Sequence, residues 1–485
     1  MTLEAFDSWF KSRYKRTTSA LIATMMVISD FIAVMISFGA GFLVVKLYYI
    51  MIDDWGGIDF KSFVTYWPYL PFFIMTFFIV KLYPGVAQAP AEEIKSFTIA
   101  SIFVHGGIIV SRYIQYDRVD SYLVAFTFSF AFSITILMIC RDIMHFFIRK
   151  VRMRGIPAVI YGSGSTSRLI VDRLLGAKKV GYEPVLILDQ CHSNGDFYRD
   201  IPIIPDMNLG PDLVNRYNIK MAIIAAPNLE SKEMINMITK SASAFRYNVL
   251  IPDFFNVNNI WMSVRDFDGV LGFASTHRLK MFWNLAIKRF LDLLLVLIGG
   301  IIIFPFLLII ALLIKLSSPG PVLYGHKRLG LNGRYFKAYK FRTMVKDADK
   351  KLSDLLASNA ELQKEWNETY KLKNDPRITK IGKFLRRLSF DEFPQLLNIL
   401  KGEMSIVGPR PVVDGEIDKY GENALRILTV KPGLTGIWQV SGRSDTDYGE
   451  RISYDLYYLQ SWSVWLDLWI IYRTPSVIFW RKGAY

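Results

Sequence analysis

Residues 290–314 read FLDLLLVLIGGIIIFPFLLIIALLI, an apolar run whose one charged residue is Asp292. A helix needs about 20 apolar residues to cross a bilayer, so this segment is long enough to do so. Strongly basic sequence flanks it on both sides, beginning with Lys288 and Arg289 before it and Lys315 after it. Basic residues mark the cytoplasmic side of a membrane, so both ends of the segment are expected there.

The middle of the same segment contains a helix breaker. Pro305 follows the pair Gly299-Gly300, and a proline removes a helical N–H and clashes with the carbonyl four residues back. A helix bent at Pro305 can enter and leave by one face of the bilayer. The sequence therefore predicts a re-entrant membrane helix over residues 286–316. The alternative is a kinked ordinary span, which places the C-terminal part of the chain on the other side of the membrane.

Four further apolar segments precede it, at residues 21–45, 66–80, 97–114 and 122–140. Basic residues crowd the N-terminus and return from Arg141 onward, whereas the first intervening loop is acidic. An even number of spans puts both basic regions in the cytoplasm, which predicts a four-helix transmembrane domain over residues 1–150. Asp30, inside the first segment, is left without an assigned role.

The composition supports a membrane protein with anionic partners. The chain of 485 residues is 52% hydrophobic, and its formal net charge is +15. A charge of this size points to nucleic acid, anionic lipids or phosphorylated substrates. The apolar segments favour membrane lipids and phosphates, and no nucleic-acid-binding motif occurs, so no nucleic acid partner is expected. The two cysteines, Cys140 and Cys191, indicate neither a disulfide framework nor a zinc site.

Residues 151–280 change to short β-branched strands separated by helical stretches, which predicts a Rossmann-like α/β domain on the cytoplasmic side. The expected strands are Ala158–Tyr161, Val185–Leu188, Met221–Ala225 and Val249–Ile251. Between the first strand and its helix lies the sequence GSGSTS, residues 162–167, with Asp189 ending the next strand. It approximates a dinucleotide fingerprint, but Ser167 replaces the third glycine. A tight turn that opens a helix is the preferred interpretation; a relic nucleotide pocket or a dimerisation module is the next.

The densest polar pattern follows, around the adjacent carboxylates Asp391 and Glu392. Ser389-x-x-Glu392 matches a capping box, in which Glu392 reaches back to a backbone N–H. In the preferred register Asp391 is itself the N-cap and Pro394 lies in the first turn. Both registers place Asp391 at a helix N-terminus, which favours anions. Neighbouring helical side chains point about 100° apart, so the two carboxylates are expected to have different roles.

The segment from Lys288 to Tyr485 resembles the bacterial sugar transferase family, the monotopic phosphoglycosyl transferases. The matching motifs are Lys288-Arg-x-x-Asp292, Ser318-Pro-Gly-Pro321, Tyr339-Lys-Phe-Arg-Thr-Met344, Asn374-Asp-Pro-Arg-Ile-Thr379, Ser389-Phe-Asp-Glu-Phe-Pro-Gln-Leu396, Asn398-x-x-Lys-Gly402, Met404-Ser-Ile-Val-Gly-Pro-Arg-Pro411, Lys431-Pro-Gly-Leu-Thr-Gly436 and Gln439-x-Ser-Gly-Arg443. The four apolar segments and the α/β insert resemble the long members of the family. Phe390 and Phe393 stand where the family usually has leucine.

The resemblance implies an enzyme that transfers a hexose-1-phosphate from a UDP-sugar to undecaprenyl phosphate and releases UMP. In the family the aspartate, here Asp391, attacks the sugar-linked phosphate and forms a covalent phosphosugar intermediate, with Glu392 as its catalytic partner. Mg²⁺ is the implied cofactor, and Asp391 is the residue expected to hold it. Arg386 resembles the family's phosphate-binding arginine, and the further phosphate ligands expected are Lys340, Arg342, Arg377 and Arg410.

The predicted fold thus has three parts: a membrane α-helical N-terminal bundle, the Rossmann-like α/β middle domain, and a mainly α monotopic catalytic domain over residues 281–485. The expected location is the bacterial inner membrane, with the catalytic domain facing the cytoplasm, and the expected assembly is a homodimer. UDP-galactose is the first expectation for the donor and UDP-glucose the second. The competing functions are an oxidoreductase working from the α/β domain and a non-catalytic membrane scaffold for polysaccharide assembly.

Overall fold

The computed structural model describes residues 3–14, 19–52, 58–83, 88–151, 153–176, 181–190, 196–225, 239, 242–251, 262–267, 270–275, 278–345, 347–358, 363, 375–441 and 448–479. The chain divides into two compact units, Met1–Asn258 and Asn259–Tyr485. The first unit contains the N-terminal helices and a sheet, and the second contains the long apolar helix and the polar motifs.

Apolar helices dominate the first 150 residues. Three are long and apolar enough to cross a membrane, within Ser19–Met51 (α2), Pro90–Tyr116 (α5) and Ser121–Lys150 (α6). The second predicted segment is shorter in the structure: after Phe60–Val64 (α3), a 3₁₀ turn at Trp67–Tyr69 continues directly into Leu70–Ile79 (α4). Pro68 lies at the start of the 3₁₀ turn and Pro71 at the start of α4. Because proline is tolerated at the beginning of a helix, these two positions explain why the segment is divided into separate helices.

A buried ion cluster connects three of these helices. The Arg141 guanidinium donates from Nε to Asp30 Oδ1 over 2.8 Å and from Nη1 to Glu93 Oε1 over 2.7 Å. The Tyr83 hydroxyl donates to Asp30 Oδ2 over 2.9 Å. Arg141 and Asp30 are 1% and 0% exposed, so these charges have no solvent to stabilise them and depend on one another. Asp30 therefore has a structural role in the bundle.

The second half of the first unit is a six-stranded sheet in the order β3-β4-β2-β1-β5-β6. All neighbouring strands are parallel except the edge pair β3–β4. The strands are Ile156–Tyr161 (β1), Tyr182–Leu188 (β2), Phe197–Tyr198 (β3), Ile201–Ile204 (β4), Met221–Ile224 (β5) and Tyr247–Leu250 (β6). Helices Ser165–Leu175 (α7) and Gly210–Tyr217 (α8) accompany them. The prediction of a Rossmann-like sheet is confirmed, and the four predicted strands correspond to β1, β2, β5 and β6.

An amphipathic helix at the N-terminus, Leu3–Tyr14 (α1), packs on this sheet domain. Its buried residues Phe6 and Phe10 each lie 5.2 Å, ring centroid to ring centroid, from Tyr217 at the end of α8. The same apolar cluster contains strand residues such as Val159 and Leu186. The first residues of the chain therefore complete a core whose other members come more than 140 residues later.

The second unit is built on one long helix, Phe282–Ser317 (α9), which includes Pro305. Two positions pack on the polar part of the unit: Val296, near the middle of the helix, shares a core with Phe336, and Ile314, near its C-terminal end, shares another with Phe341. Most other apolar side chains of the helix are exposed, as at Trp283, 74%, Ile301, 76%, and Leu316, 76%. The helix therefore presents apolar surface along its whole length. The predicted re-entrant path stays a prediction at this point.

Short elements complete the second unit. Two antiparallel hairpins occur, Met262–Phe267 (β7) with Val270–Ser275 (β8), and Leu323–Leu329 (β9) with Tyr335–Phe341 (β10). A small parallel pair is formed by Ser405–Val407 (β11) and Gly433–Thr435 (β12). The remaining α-helices among the described residues are Ala348–Ser358 (α10), Lys380–Arg387 (α11), Leu396–Lys401 (α12), Asp414–Ile417 (α13), Ala424–Ile427 (α14), Ile437–Ser441 (α15), Tyr448–Ser461 (α16) and Val464–Phe479 (α17). The C-terminal part of the chain is thus mainly helical, as predicted.

Candidate active site

The dyad lies on a six-residue 3₁₀ helix, Phe390–Gln395, directly after α11. Its N-cap is Ser389, which adopts a left-handed conformation with φ of 55° and makes no side-chain capping bond. The preferred register, with Asp391 as the N-cap, is therefore wrong, because Asp391 is the second residue of the helix. Ser389 is the N-cap as in the other register, but the capping box is not formed: the Ser389 N–H donates to the Arg386 carbonyl, and Glu392 binds Lys340. The sharp turn at Ser389, which joins two short helices, moves the start of the helix to Phe390. Asp391 and Glu392 still share the first turn, and with three residues per turn they point about 120° apart.

Glu392 is fixed by Lys340, the next-to-last residue of β10. Lys340 Nζ donates to Glu392 Oε1 over 2.6 Å, and both side chains are roughly 30% exposed. Burial alone raises a carboxyl pKa, but here the charges of Lys340, Arg410 and Arg328 outweigh it, and the pKa of Glu392 is lowered. Glu392 is therefore an ionised anchor for cations.

Asp391 has the opposite electrostatic balance. Burial and the neighbouring Glu392 charge raise its pKa above the ordinary aspartate value, and the charges of Lys340 and Arg386 only partly offset this. A carboxylate that is partly desolvated and lacks a strong ion pair is more reactive than one locked in a salt bridge. The two carboxylates are thus differentiated by environment, as expected for different roles.

Arg386, one turn before the dyad on α11, is held beside it. Its Nε donates to Thr343 Oγ1 over 2.9 Å, and the Asp391 charge acts on its guanidinium. Thr343 lies two residues after the end of β10, and its carbonyl accepts from the backbone N–H of Thr379, the N-cap of α11. The strand that carries Lys340 and the helix that carries Arg386 are therefore joined at Thr343.

Gly382 permits this junction. A Cβ placed on Gly382 would lie 2.0 Å from the carbonyl oxygen of Thr343, which is backbone and cannot move aside. We expect Gly382→Ala to lower the free energy of unfolding by about 1 to 3 kcal/mol through overpacking and to reduce activity by displacing Arg386. Gly415→Ala is the matched control, because a Cβ there meets nothing within 4 Å. Thermal unfolding and transfer rates of both variants test this, and equal behaviour of the two would refute the close approach.

Arg410 approaches Glu392 from the loop after β11. Its charge lowers the pKa of Glu392, and its guanidinium lies 5.6 Å from the ring centroid of Trp438. The structure therefore brings together five of the predicted residues: Asp391, Glu392, Lys340, Arg386 and Arg410.

Arg342 and Arg377 bind protein groups. Arg342 donates to the Ser318 and Pro319 carbonyls over 2.6 and 3.0 Å, which holds the turn after α9. Arg377 is 5% exposed, and its Nε and Nη2 donate to the Asp375 carboxylate. Its charge reaches Arg386, so it lies near the site, with its guanidinium committed to Asp375.

Other residues of the quoted motifs have structural roles that local sequence did not indicate. Lys288 Nζ donates to Asp467 and to the Val407 carbonyl, and Asp292 accepts from Ser405 and from the backbone N–H of Ile406. These contacts fix the start of α9 to β11, which leads into the Arg410 loop. Asn398, fully buried, bonds both the N–H of Tyr339 and the carbonyl of Lys337. It therefore holds the strand that presents Lys340.

No group of three or more His, Cys, Asp or Glu side chains suited to a metal ion occurs in the described part of the chain. The two carboxylates of the dyad nevertheless fit Mg²⁺, which is usually bound by one or two carboxylates together with substrate phosphates and water.

The glycine turn of the sheet domain is the second candidate site. The Ser163 hydroxyl is hydrogen-bonded to the Asp189 carboxylate, and Ser167 is buried and donates to the Ala225 carbonyl over 2.8 Å. Ser167 thus ties α7 to the end of β5, where a dinucleotide fingerprint would have a glycine. These contacts are those of a structural turn that opens a helix.

Comparisons with known proteins agree with the motifs. The model of the family described as bacterial sugar transferase matches residues 283–481. The undecaprenyl-phosphate galactose phosphotransferase of Salmonella typhimurium is 34% identical over 380 residues, which cover 76% of this chain and 79% of that protein. The exopolysaccharide production protein ExoY of Sinorhizobium fredii is 46% identical over 41% of this chain and 88% of its own. The UDP-glucose:undecaprenyl-phosphate glucose-1-phosphate transferase of Escherichia coli is 35% identical over 56% of each chain. The chain therefore belongs to the bacterial sugar transferase family.

Proposed function

We propose that the chain transfers a hexose-1-phosphate from a UDP-sugar to undecaprenyl phosphate, as the first membrane step of a polysaccharide pathway such as O-antigen, capsule or exopolysaccharide synthesis. The observation that carries this is the differentiated dyad: Glu392 is held ionised by Lys340, while Asp391 is partly buried, forms no salt bridge with any described residue, and lies one turn from Arg386. The names of the Salmonella and Escherichia coli relatives support the same class of reaction, and the name of the Sinorhizobium fredii relative supports a polysaccharide pathway.

The chemistry takes two displacements at phosphorus. A carboxylate oxygen of Asp391 attacks the sugar-linked phosphorus of the UDP-sugar, the bond to the bridging oxygen breaks, and UMP leaves with that electron pair. A phosphate oxygen of undecaprenyl phosphate then attacks the same phosphorus, the acyl-phosphate bond breaks, and the Asp391 carboxylate is restored. Arg386, Lys340 and Arg410 stabilise the phosphoryl charge through charge-assisted hydrogen bonds.

Asp391 would hold Mg²⁺, and the ion would supply neutralisation of the diphosphate charge. Glu392 holds Lys340 at the site, so that an ammonium group and the two arginines remain in place as negative charge moves onto UMP. Arg342 and Arg377 contribute by ordering the turn after α9 and the segment before α11.

Helix α9 is proposed to dip into the cytoplasmic leaflet and return, with its break at Pro305. A straight helix of 36 residues is about 54 Å long and would carry its ends to opposite sides of a membrane. Yet Arg289 donates to the carbonyls of Ile399 and Leu400, and Ile314 packs on Leu385, all within one compact domain. Contacts of both ends with one domain support a re-entrant path and a cytoplasmic active site. We expect a cysteine introduced at Ser358 to be labelled only after the cells are lysed. Labelling of this cysteine in intact cells would contradict the re-entrant path.

UDP-galactose is the proposed donor. The Salmonella relative, whose alignment covers 76% of this chain, is named as a galactose phosphotransferase. UDP-glucose is the alternative, supported by the name of the Escherichia coli relative. The test offers purified full-length protein each radiolabelled UDP-sugar with undecaprenyl phosphate and Mg²⁺, and follows lipid-bound label and UMP release. Label transfer with equimolar UMP is expected from one hexose donor. Release of UDP in place of UMP, or no transfer from any UDP-hexose, would overturn the proposal.

Lys340 provides a pH test of the dyad. Its positive charge lowers the pKa of both Asp391 and Glu392, so Lys340→Met should raise both. Because Asp391 must be ionised to attack, activity is lost as the pH falls through its pKa. The acid limb of kcat/KM should therefore move to higher pH in Lys340→Met. Lys337→Met, an exposed lysine on the same strand, should keep the wild-type limb. An acid limb of Lys340→Met that stays in place or moves to lower pH would contradict these electrostatics.

A further inference from the structure

Arg451, on α16, is a buried cation with unused hydrogen-bonding capacity. Its side chain is 6% exposed, and within the described part of the chain its Nε and Nη2 have no hydrogen-bond partner. Its ion-pair contact is a long one, 4.0 Å from Nη1 to Glu416 Oε1. Leaving guanidinium N–H groups buried and unpaired costs free energy, so a site of this kind is expected where a ligand supplies the acceptors.

The guanidinium is held in a fixed orientation by aromatic rings. It lies 5.0 Å from the ring centroid of Trp438 and 5.1 Å from that of Tyr448. Arg410 lies against the same Trp438 ring. Aromatic contacts stabilise the cation without using its N–H groups, which therefore stay available for an anion.

Arg451 is also connected to the dyad through a group of cations. Arg328 and Arg451 both approach Glu416, at 3.8 and 4.0 Å. The charges of Arg328 and Arg410 in turn act on Glu392. Burial and the neighbouring charges of Arg410 and Arg451 lower the pKa of Arg328, which shows how closely these like charges are gathered. A multiply charged anion would relieve this repulsion.

From these contacts we propose that Arg451, with Arg328 beside it, binds the diphosphate of the nucleotide sugar. This inference rests on the proposed function and adds to it two donors that the sequence motifs did not indicate. The shared ligand chemistry is a phosphate oxygen, which the lipid acceptor also carries.

The surroundings favour the nucleotide as its source. The apolar cluster beneath α16 contains Leu456, Tyr420 and Val412, and among the described residues it includes none from the membrane helix α9. The clusters that do include α9 residues lie with α11, α12 and β10. A water-soluble donor is therefore expected on the Arg451 side and the lipid on the other.

The test compares Arg451→Met with Arg334→Met, an exposed arginine in the β9–β10 connection, as a control for loss of one charge. UDP affinity is measured by calorimetry on full-length protein in nanodiscs, with each variant also carrying Asp391→Asn so that no turnover occurs. Arg451→Met should weaken UDP binding about 10- to 100-fold, as expected for one charge-assisted contact. Arg451→Lys should recover only part of it, because an ammonium lacks the planar fork. The control should bind UDP like the parent.

Steady-state kinetics without the Asp391 change separate the two phosphate sources. The KM for the UDP-sugar should rise by the same factor in Arg451→Met, with the KM for undecaprenyl phosphate unchanged. A rise in the acceptor KM with unaltered UDP affinity would overturn the assignment, and so would a folded Arg451→Met that binds UDP normally. If Arg451→Met does not fold, Arg451→Lys decides by the same criteria. Because UDP binding is measured without turnover, failure of the reaction itself would appear separately, as absence of label transfer.

Discussion

Replacement of Asp391 by Asn should abolish sugar-phosphate transfer, with a fall in kcat of about four orders of magnitude or more. The amide is nearly the same size as the carboxylate but is not a nucleophile, so the first displacement cannot occur. Since Ser389 and not Asp391 is the N-cap of the 3₁₀ helix, and Asp391 is partly exposed, the fold should tolerate the change.

The decisive measurement is retention of label by the protein. When wild-type enzyme is incubated with radiolabelled UDP-sugar and no lipid acceptor, label should remain on the chain with release of one UMP, and Asp391→Asn should retain none. Asp418→Asn, an exposed aspartate at the start of another 3₁₀ helix, serves as the matched control and should behave as wild type. Substantial turnover or labelling in Asp391→Asn would remove the nucleophile assignment.

Replacement of Arg141 by Leu should have the largest effect on stability. It would leave Asp30 and Glu93, 0% and 5% exposed, as buried carboxylates without their cation. Removing one partner of a buried ion pair typically costs about 3 to 5 kcal/mol, because the remaining charge stays desolvated. The expected result is a sharp drop in folded protein recovered from membranes and in the unfolding midpoint in mild detergent.

Two comparisons make this result specific to the charge cluster. Arg149→Leu removes an exposed arginine from the same helix and should leave the midpoint nearly unchanged. The triple variant Asp30→Leu, Glu93→Leu, Arg141→Leu should recover much of the loss, since an apolar replacement of the whole cluster leaves no unpaired charge. If Arg141→Leu unfolds at the wild-type midpoint, the cluster does not stabilise the bundle.

Local patterns predicted the elements well wherever hydrophobic periodicity decides the structure. The strands of the middle sheet follow their β-branched runs, and α9 follows its apolar run through Pro305. The N-cap predicted at Asp391 was wrong because the helix begins at Phe390. The capping box is not formed because Ser-x-x-Glu is a local motif, whereas Glu392 is bound by Lys340, 52 residues earlier in the chain. Sequence spacing alone does not show whether the Glu392 side chain binds a backbone N–H or Lys340.

The same limit explains which site residues were missed. Lys340 and Arg410 stand inside quoted motifs, and Arg386 lies between two of them, but Arg328 and Arg451 belong to no quoted motif. Their significance depends on burial and on a shared neighbour, Glu416, which only the fold brings to them. Asp30 was conspicuous as a charge in an apolar helix, yet its partner Arg141 lies 111 residues away.

The docking of α1 onto the sheet domain has a consequence for synthesis. Phe6 and Phe10 are synthesised before Tyr217 and Phe245, members of the same core, which follow more than 200 residues later. At bacterial translation rates of about 5 to 20 residues per second, that delay is roughly 10 to 50 seconds. During this interval the apolar helices α2, α5 and α6 are synthesised, while the aromatic face of α1 has no sheet core to pack against.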